Sequence, residues 1–312
     1  MKGINIISTG KGIPGKIVTN DDLSKIVDTS DEWISSRTGI KSRHYCDNEE
    51  NWNLAIRAAE MAIERAEIDR KDIGLLIVAT FTPDNGVPSV ACTLQKEMGL
   101  TNKVTAFDFN AACSGFIYAL KIANALLDEC SGKYALIIGS EKISTRLDME
   151  DRNTCVLFGD GAGAVLIERN EEHMYNCVLE AEGNYEALGC KSFADGKQKI
   201  YMDGKLVFKY AVSTMTSVTQ KMMAQAGITM DDVDYVICHQ ANERIIKSVV
   251  RQLKAPEEKF FENIYDYGNT SAASIPIALN EMYEKGMLKP GMKIVLTGFG
   301  AGFTSGAALI EI

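Results

Sequence analysis

The chain repeats itself, and that repeat limits its folds more than any other feature. DIGLLIVA at 72–79 resembles DVDYVICH at 232–239, FIYAL at 116–120 resembles IPIAL at 275–279, and YALIIGS at 134–140 resembles KIVLTGF at 293–299, at offsets of 160, 159 and 159 residues. A near-constant offset across several elements marks two copies of one supersecondary unit. GAVLIE at 163–168 and GAALIE at 306–311 are offset by only 143, so the first copy carries about sixteen additional residues around Ser144–Phe158. Each copy reads as an amphipathic helix (53–66; 211–225), an apolar strand, a second helix (113–127; 271–284) and two further strands. β-Branched runs alternating with helical periodicity call for sheets buried under helices on both faces. No proline-rich or low-complexity linker divides the copies. The expectation is a fused α/β/α/β/α body of two halves, 1–170 and 171–312.

Composition narrows the function. At 46% apolar and 24% charged residues the chain has the balance of a globular protein, and no apolar run has membrane-span length. The N-terminus MKGINIISTGKGIPG lacks the apolar core of a secretory signal, so a cytoplasmic address is expected. A net charge of −9 argues against bulk nucleic-acid binding. Eight cysteines without a CxxC pair, and only three histidines, provide no metal-ligand spacing. The glycine runs FGDGAG (158–163) and GFGAGF (298–303) do not open a dinucleotide-binding βαβ unit, so no nicotinamide site is expected.

The repeat brings three residues together. Strand VTAFDFN runs into AACSGF, which puts Cys113 at a strand-to-helix turn where a helix N-terminus is expected to favour the thiolate. Asn269 lies 159 residues after Asn110, so GNTSAAS occupies in the second half the place of NAACSGF in the first. His239 ends the strand DVDYVICH, where α/β sheets gather their active groups. Alone, each residue has an ordinary structural reading: a buried thiol, a core imidazole, a helix cap. If the halves pack about a pseudo-dyad, the three share one pocket. Cys113 would hold an acyl group covalently, and His239 and Asn269 would donate to an enolate oxygen formed by decarboxylation of a malonyl thioester. The N–H groups of Cys113 and Ala301 are candidates for a second oxyanion hole.

DTSDEWISSRTGI, NAACSGF, FGDGAGA, HQAN, YGNTSAASIP and GFGAGFTSG, in this order, resemble the β-ketoacyl-acyl carrier protein synthase III family of thiolase-fold condensing enzymes, from Gly3 to Ile312. The resemblance implies a homodimer of five-layered subunits with Cys113, His239 and Asn269 as catalytic residues. It implies condensation of an acyl-CoA primer with malonyl-acyl carrier protein at the start of fatty acid synthesis, with acyl-CoA as substrate and no cofactor. By the same resemblance, Trp33 and Arg152 would hold the CoA adenine between them, with Thr29 and Arg37 alongside. Phe208 and Ala241 would line the pantetheine tunnel and Phe299 the pocket near the nucleophile. Val87 stands where a phenylalanine often lines the partner subunit's acyl pocket. Ser114, Cys238 and Ala301 also depart from the commonest pattern.

A carrier surface is legible without the family. Arg244, Lys247, Arg251 and Lys254, spaced 3, 4 and 3, are expected on one helical face, with Lys209 contributing to a dock for an acidic carrier protein. Rival readings are weaker. A thiolase needs a second cysteine in the C-terminal third, and none follows Cys238. A Cys-His-His elongating enzyme needs histidine at 269. A related acyltransferase, or a starter-unit condensing enzyme of a secondary-metabolite pathway, is the alternative; a non-catalytic scaffold has no use for all three polar groups.

Overall fold

The computed structural model describes residues 2–101, 103–192 and 198–312. Two five-stranded sheets form the body. The first runs in the order Ile4–Gly12, Gly161–Arg169, Tyr134–Glu141, Ile73–Ala79, Thr105–Phe109; the second runs Tyr175–Asn184, Gly302–Glu311, Lys293–Gly300, Tyr235–Cys238, Phe260–Phe261. In both sheets the first three strands are antiparallel neighbours and the last two join in parallel. The repeat in the sequence is therefore a repeat of strand order and direction.

Two helices, Gly115–Leu126 and Ser274–Glu284, lie between the sheets. Phe116, Ile117, Leu120, Ile275, Leu279 and Met282 pack there against Leu75, Ile77, Ile237 and Leu296, all buried. Each such side chain contributes about 1.5–3 kcal/mol by leaving water. Asn51–Ala66 and Val90–Glu97 cover the outer face of the first sheet, and Gly204–Ala226 and Glu243–Leu253 that of the second. The result is five layers, as the patterning required. No helix among the described residues is long and apolar enough to cross a membrane.

Several boundaries differ from the sequence reading. The outer helix of the first half starts at Asn51 rather than 53, because the Asp84 carboxylate accepts the N–H groups of Asn51 (2.7 Å) and Trp52 (3.0 Å). Its twin starts at Gly204 rather than 211: Asp203 caps it, accepting from Lys205 and Leu206, and its first turns expose Leu206 and Phe208 instead of feeding the core pattern. The two central helices begin at Gly115 and Ser274, not at 113 and 271. Each is preceded by a 3-10 turn, 112–114 or 271–273, whose entry holds a left-handed residue, Ala112 (φ 48°) or Ser271 (φ 51°). A left-handed residue cannot continue an α-helix.

Two additions break the symmetry of the first half. One is 143–158, expected from the offset; the other is 16–45, which the repeat did not reveal. The second folds as a small ribbon, Lys16–Thr19 against Ser42–Tyr45, with helices Asn20–Ser24 and Asp31–Thr38. The two additions share a buried cluster of Val18, Leu23, Ile34, Ile40, Cys155 and Val156. Fully buried Arg43 links them, donating to the Val18 and Val156 carbonyls and to the Asn20 amide oxygen.

Candidate active site

The strained turn after strand Thr105–Phe109 presents Cys113. Asn110 Oδ1 accepts the Ala112 N–H at 2.9 Å, closing an Asx turn that supports the left-handed Ala112. Gly300 backs onto it: a Cβ built there would stand 2.7 Å from the Cys113 nitrogen, so only glycine lets that strand end approach. The thiol does not have the lowered pKa expected from a helix start. Burial pushes it up to about 12, the Ser271 hydroxyl opposing and the Glu141 carboxyl reinforcing the rise. The helix begins two residues later, at Gly115, and desolvation is the largest influence on the thiol. Cys113 therefore rests as a thiol.

His239 follows strand Tyr235–Cys238, its N–H bonded to the Thr297 carbonyl at 2.8 Å. The ring is fully buried, edge-on to Phe299 with centroids 5.6 Å apart, and burial lowers its pKa to about 3. It is neutral at physiological pH. Nδ1 lies 2.7 Å from Ser274 Oγ, and that oxygen also accepts the Gln240 N–H at 3.4 Å. Among the described residues the Ser274 hydroxyl has no other acceptor for its single proton, so that proton goes to Nδ1 and the ring proton is assigned to Nε2. Nε2 is buried and has no hydrogen-bond partner among the described residues.

Asn269 is pinned through its backbone, its N–H donating to the Leu157 carbonyl (2.8 Å) and its carbonyl accepting from Gly159 (3.0 Å). Its side-chain oxygen accepts the Ser271 N–H at 2.9 Å, which leaves the amide NH2 for a ligand. The geometry copies Asn110 and Ala112 in the other half.

Cys113, His239 and Asn269 line one cavity of about 1080 Å³, together with Ala241, Phe299 and Ala301. Phe208, Trp33 and Arg37 line it toward the surface. A contiguous depression of about 390 Å³ is framed by Arg37, Lys205, Phe208 and Arg244. Trp33 has Arg37 over its ring at 4.8 Å and Arg152 at 5.1 Å. The two arginines thus both stack directly on the indole, and Arg152 also donates to the Asp28 carbonyl at 2.9 Å. The Thr29 hydroxyl nearby is buried without a partner among the described residues.

The basic face is only partly as expected. Arg244, Lys247 and Arg251 are exposed on helix Glu243–Leu253, but Lys254 is the left-handed residue that ends it (φ 52°) and so is not on the helical face. Lys247 pairs with Glu243 at 2.7 Å, which offsets part of the charge, and Arg251 donates to the Ser248 hydroxyl. Lys209 is exposed. Val87 is 87% exposed and not in the cavity of this chain.

Ser274, Glu141 and Thr304 carried no signal of their own in the sequence. Ser274 lies 35 residues from His239, a separation that spacing rules do not read. Glu141 is a fully buried carboxyl held by the hydroxyls of Thr80 and Thr82 and the N–H groups of Phe81 and Thr82; burial raises its pKa to about 8.

Duplicated five-stranded sheets around two central helices, with the cavity at their meeting line, define the thiolase-fold condensing enzymes. The family described as 3-oxoacyl-[acyl-carrier-protein] synthase III matches residues 107–183, and its C-terminal part matches 223–312. Beta-ketoacyl-[acyl-carrier-protein] synthase III of Clostridium acetobutylicum is 47% identical, over 100% of this chain and 99% of its own. The crystal structure of 3-oxoacyl-[acyl-carrier-protein] synthase III from Aquifex aeolicus superposes with a TM-score of 0.94 at 46% identity, covering 99% and 100% of the two chains. The priming β-ketosynthase of the R1128 polyketide pathway superposes with a TM-score of 0.95 at 30% identity, covering 100% and 96%. The chain belongs to the β-ketoacyl-acyl carrier protein synthase III family and is a condensing acyltransferase.

Proposed function

We propose that the chain joins an acyl-CoA primer to malonyl-acyl carrier protein through an acyl-Cys113 intermediate, in the cytoplasm, as a homodimer of subunits with halves 1–170 and 171–312. In the first step the Cys113 sulfur bonds to the primer carbonyl carbon, the carbon–sulfur bond to CoA breaks, and the thiol proton leaves with CoA as its free thiol. The N–H groups of Cys113 and Ala301 hold the tetrahedral oxygen. In the second step the malonyl carboxylate leaves as CO2, and its electron pair forms an enolate. His239 Nε2–H and the Asn269 amide donate to that oxygen. The enolate carbon then bonds to the acyl carbon, and the sulfur departs and takes up one proton.

The observation that carries this reading is a neutral, buried imidazole whose Nε2 lacks a partner among the described residues, in one cavity with the thiol and a carboxamide. A preorganised donor of this kind needs no reorganisation as charge develops. A simple acyl transferase has little use for it. On the ligand side, Arg37, Lys205 and Arg244 at the mouth suit the phosphates of CoA or of a carrier's prosthetic arm. For an adenine to enter between Trp33 and Arg152, the guanidinium must leave the indole and Asp28. Thr29, Ala241, Phe208 and Phe299 would contact the incoming arm and primer. Lys209, Lys247, Arg251 and Lys254 would meet the acidic carrier, and Val87 would reach a partner subunit's acyl pocket.

The test is a pulse and chase. Radiolabelled acyl-CoA should label Cys113, and malonyl-carrier protein should release the label as ketoacyl-carrier with one CO2. Labelling without CO2 release marks a transferase, and absence of labelling overturns the reading.

A further inference from the structure

Ser114 and Thr304 face each other across the halves. Ser114 is fully buried, and its Oγ lies 2.7 Å from Thr304 Oγ1 and 2.9 Å from the Ala111 carbonyl. Thr304 Oγ1 lies 2.9 Å from the same carbonyl and 3.3 Å from the Ala301 carbonyl. Each hydroxyl has one proton, so the bonds form a chain: one hydroxyl donates to the other, which donates to Ala111. Either direction ties the carbonyl that enters the Cys113 turn to the tip of the hairpin Lys293–Gly300 and Gly302–Glu311. Gly300 closes the same contact from the side, where an added Cβ would stand 3.1 Å from Thr304 Oγ1 as well as 2.7 Å from the Cys113 nitrogen. The repeat supplies a control. At the registers established by the offsets, Ser114 corresponds to Ala273 and Thr304 to Gly161, so the other copy of the turn has no hydroxyl pair.

We propose that the Ser114–Thr304 pair is a positioning clamp that holds the Cys113 N–H and the Ala301 N–H at the separation a single oxyanion requires. The inference rests on the acyl-Cys113 reading above. The two N–H groups belong to segments far apart in the chain, one before a central helix and one at a hairpin tip, and the left-handed Ala112 gives the first of them a strained backbone. Without a cross-link the pair would drift, and displacements near 1 Å at a reacting centre cost on the order of 10²-fold. The clamp does not touch His239 or Asn269. It therefore acts on acyl transfer to and from Cys113, and not on loss of CO2 from the malonyl group.

That separation is the test. Thr304→Val keeps the shape and removes the hydroxyl, Thr304→Ser keeps the hydroxyl, and Ser114→Ala copies the other half. Single-turnover labelling of Cys113 would use whichever of acetyl-, isobutyryl- or hexanoyl-CoA loads the unaltered protein best. Decarboxylation of malonyl-carrier protein would be followed without primer. Thr304→Val is expected to load at least about tenfold more slowly, Thr304→Ser to recover to within about threefold of the unaltered rate, and CO2 release to change less than about twofold in each. Unchanged loading in Thr304→Val and Ser114→Ala, equal losses in both steps, or no recovery in Thr304→Ser overturns the clamp. If Thr304→Val fails to fold, Ser114→Ala alone decides by the same comparison. An unaltered protein that no thioester loads overturns the parent reading instead.

Discussion

The turn at 110–114 and its twin at 269–273 share a backbone and differ in what they carry. In both, an asparagine oxygen accepts the N–H two residues on at 2.9 Å, and that next residue is left-handed. Yet Cys113 has Ala272 as its counterpart, His239 has Ala79, and Ser274 has Gly115. The plain set is packed solid: a Cβ added at Gly115 would meet the Ala79 Cβ at 3.0 Å and the Ala272 Cβ at 3.4 Å. Duplication supplies two equivalent frames, and substitution makes one a nucleophile seat and the other a donor seat. Small residues at the counterpart positions fill what would otherwise be a second cavity.

The sharpest way to break that comparison is at the sulfur. Cys113→Ala should lower condensation by about 10³-fold or more, with no acyl adduct by mass spectrometry; normal turnover would remove the thiol from the mechanism. The two asparagines come next. Asn269→Ala is expected to slow malonyl decarboxylation by about 10²–10³-fold while primer loading falls only a few-fold. Asn110→Ala, which removes the same turn bond but no proposed donor, should cost about 1 kcal/mol of stability and leave decarboxylation nearly intact. Similar kinetic losses in both would mean that the turn, not the amide, matters.

Gly115→Ser installs the hydroxyl of the second half in the first. Crowding against Ala79 should destabilise by about 1–3 kcal/mol, read as a shift of the denaturant midpoint at constant slope. A neutral result would show that the plain set is not tightly packed.

The pH predictions have opposite signs in the two halves. His239, with its pKa lowered to about 3 by burial, contributes stability present above the ordinary histidine range and lost as pH falls from about 6.5 toward 3. Glu141, raised to about 8 by burial, favours the fold while protonated, and that contribution fades as pH rises from about 4.5 toward 8. Thermal unfolding should show the acid limb flattened in His239→Gln and the neutral limb flattened in Glu141→Gln. A condensation rate that titrates near 6.5, and does so only when His239 is present, would contradict a neutral imidazole. The smallest effect is expected on the basic helix. Lys247→Ala loses an exposed pair with Glu243 worth less than about 1 kcal/mol, so stability should hold while the KM for carrier protein rises in a salt-dependent way.

Much of this was legible because a repeat carries three-dimensional information: matching Asn110 with Asn269 already implied that two turns face a common axis. The five layers and the meeting of residues 113, 239 and 269 followed from it. What escaped was local or came from outside the repeat. The thiol was expected to be acidic because a helix was taken to start at Cys113; the left-handed Ala112 and burial reverse that. Lys254 fits a helical spacing that ends one residue before it. The ribbon at 16–45 has no copy in the second half, so self-comparison could not find it. Ser274 and Thr304 gain meaning only when segments far apart in the chain are brought into contact.

Arg43 has a consequence for how substrate entry can change. One cation, hydrogen-bonded to two carbonyls and an amide and, among the described residues, to no carboxylate, fastens the ribbon to the loop that carries Arg152. The vestibule is thus a single riveted piece beside a symmetric body. Because the bond to the loop goes to the Val156 backbone carbonyl, a loop of different side chains keeps the fastening as long as it follows the same path, whereas a change of path strands the guanidinium.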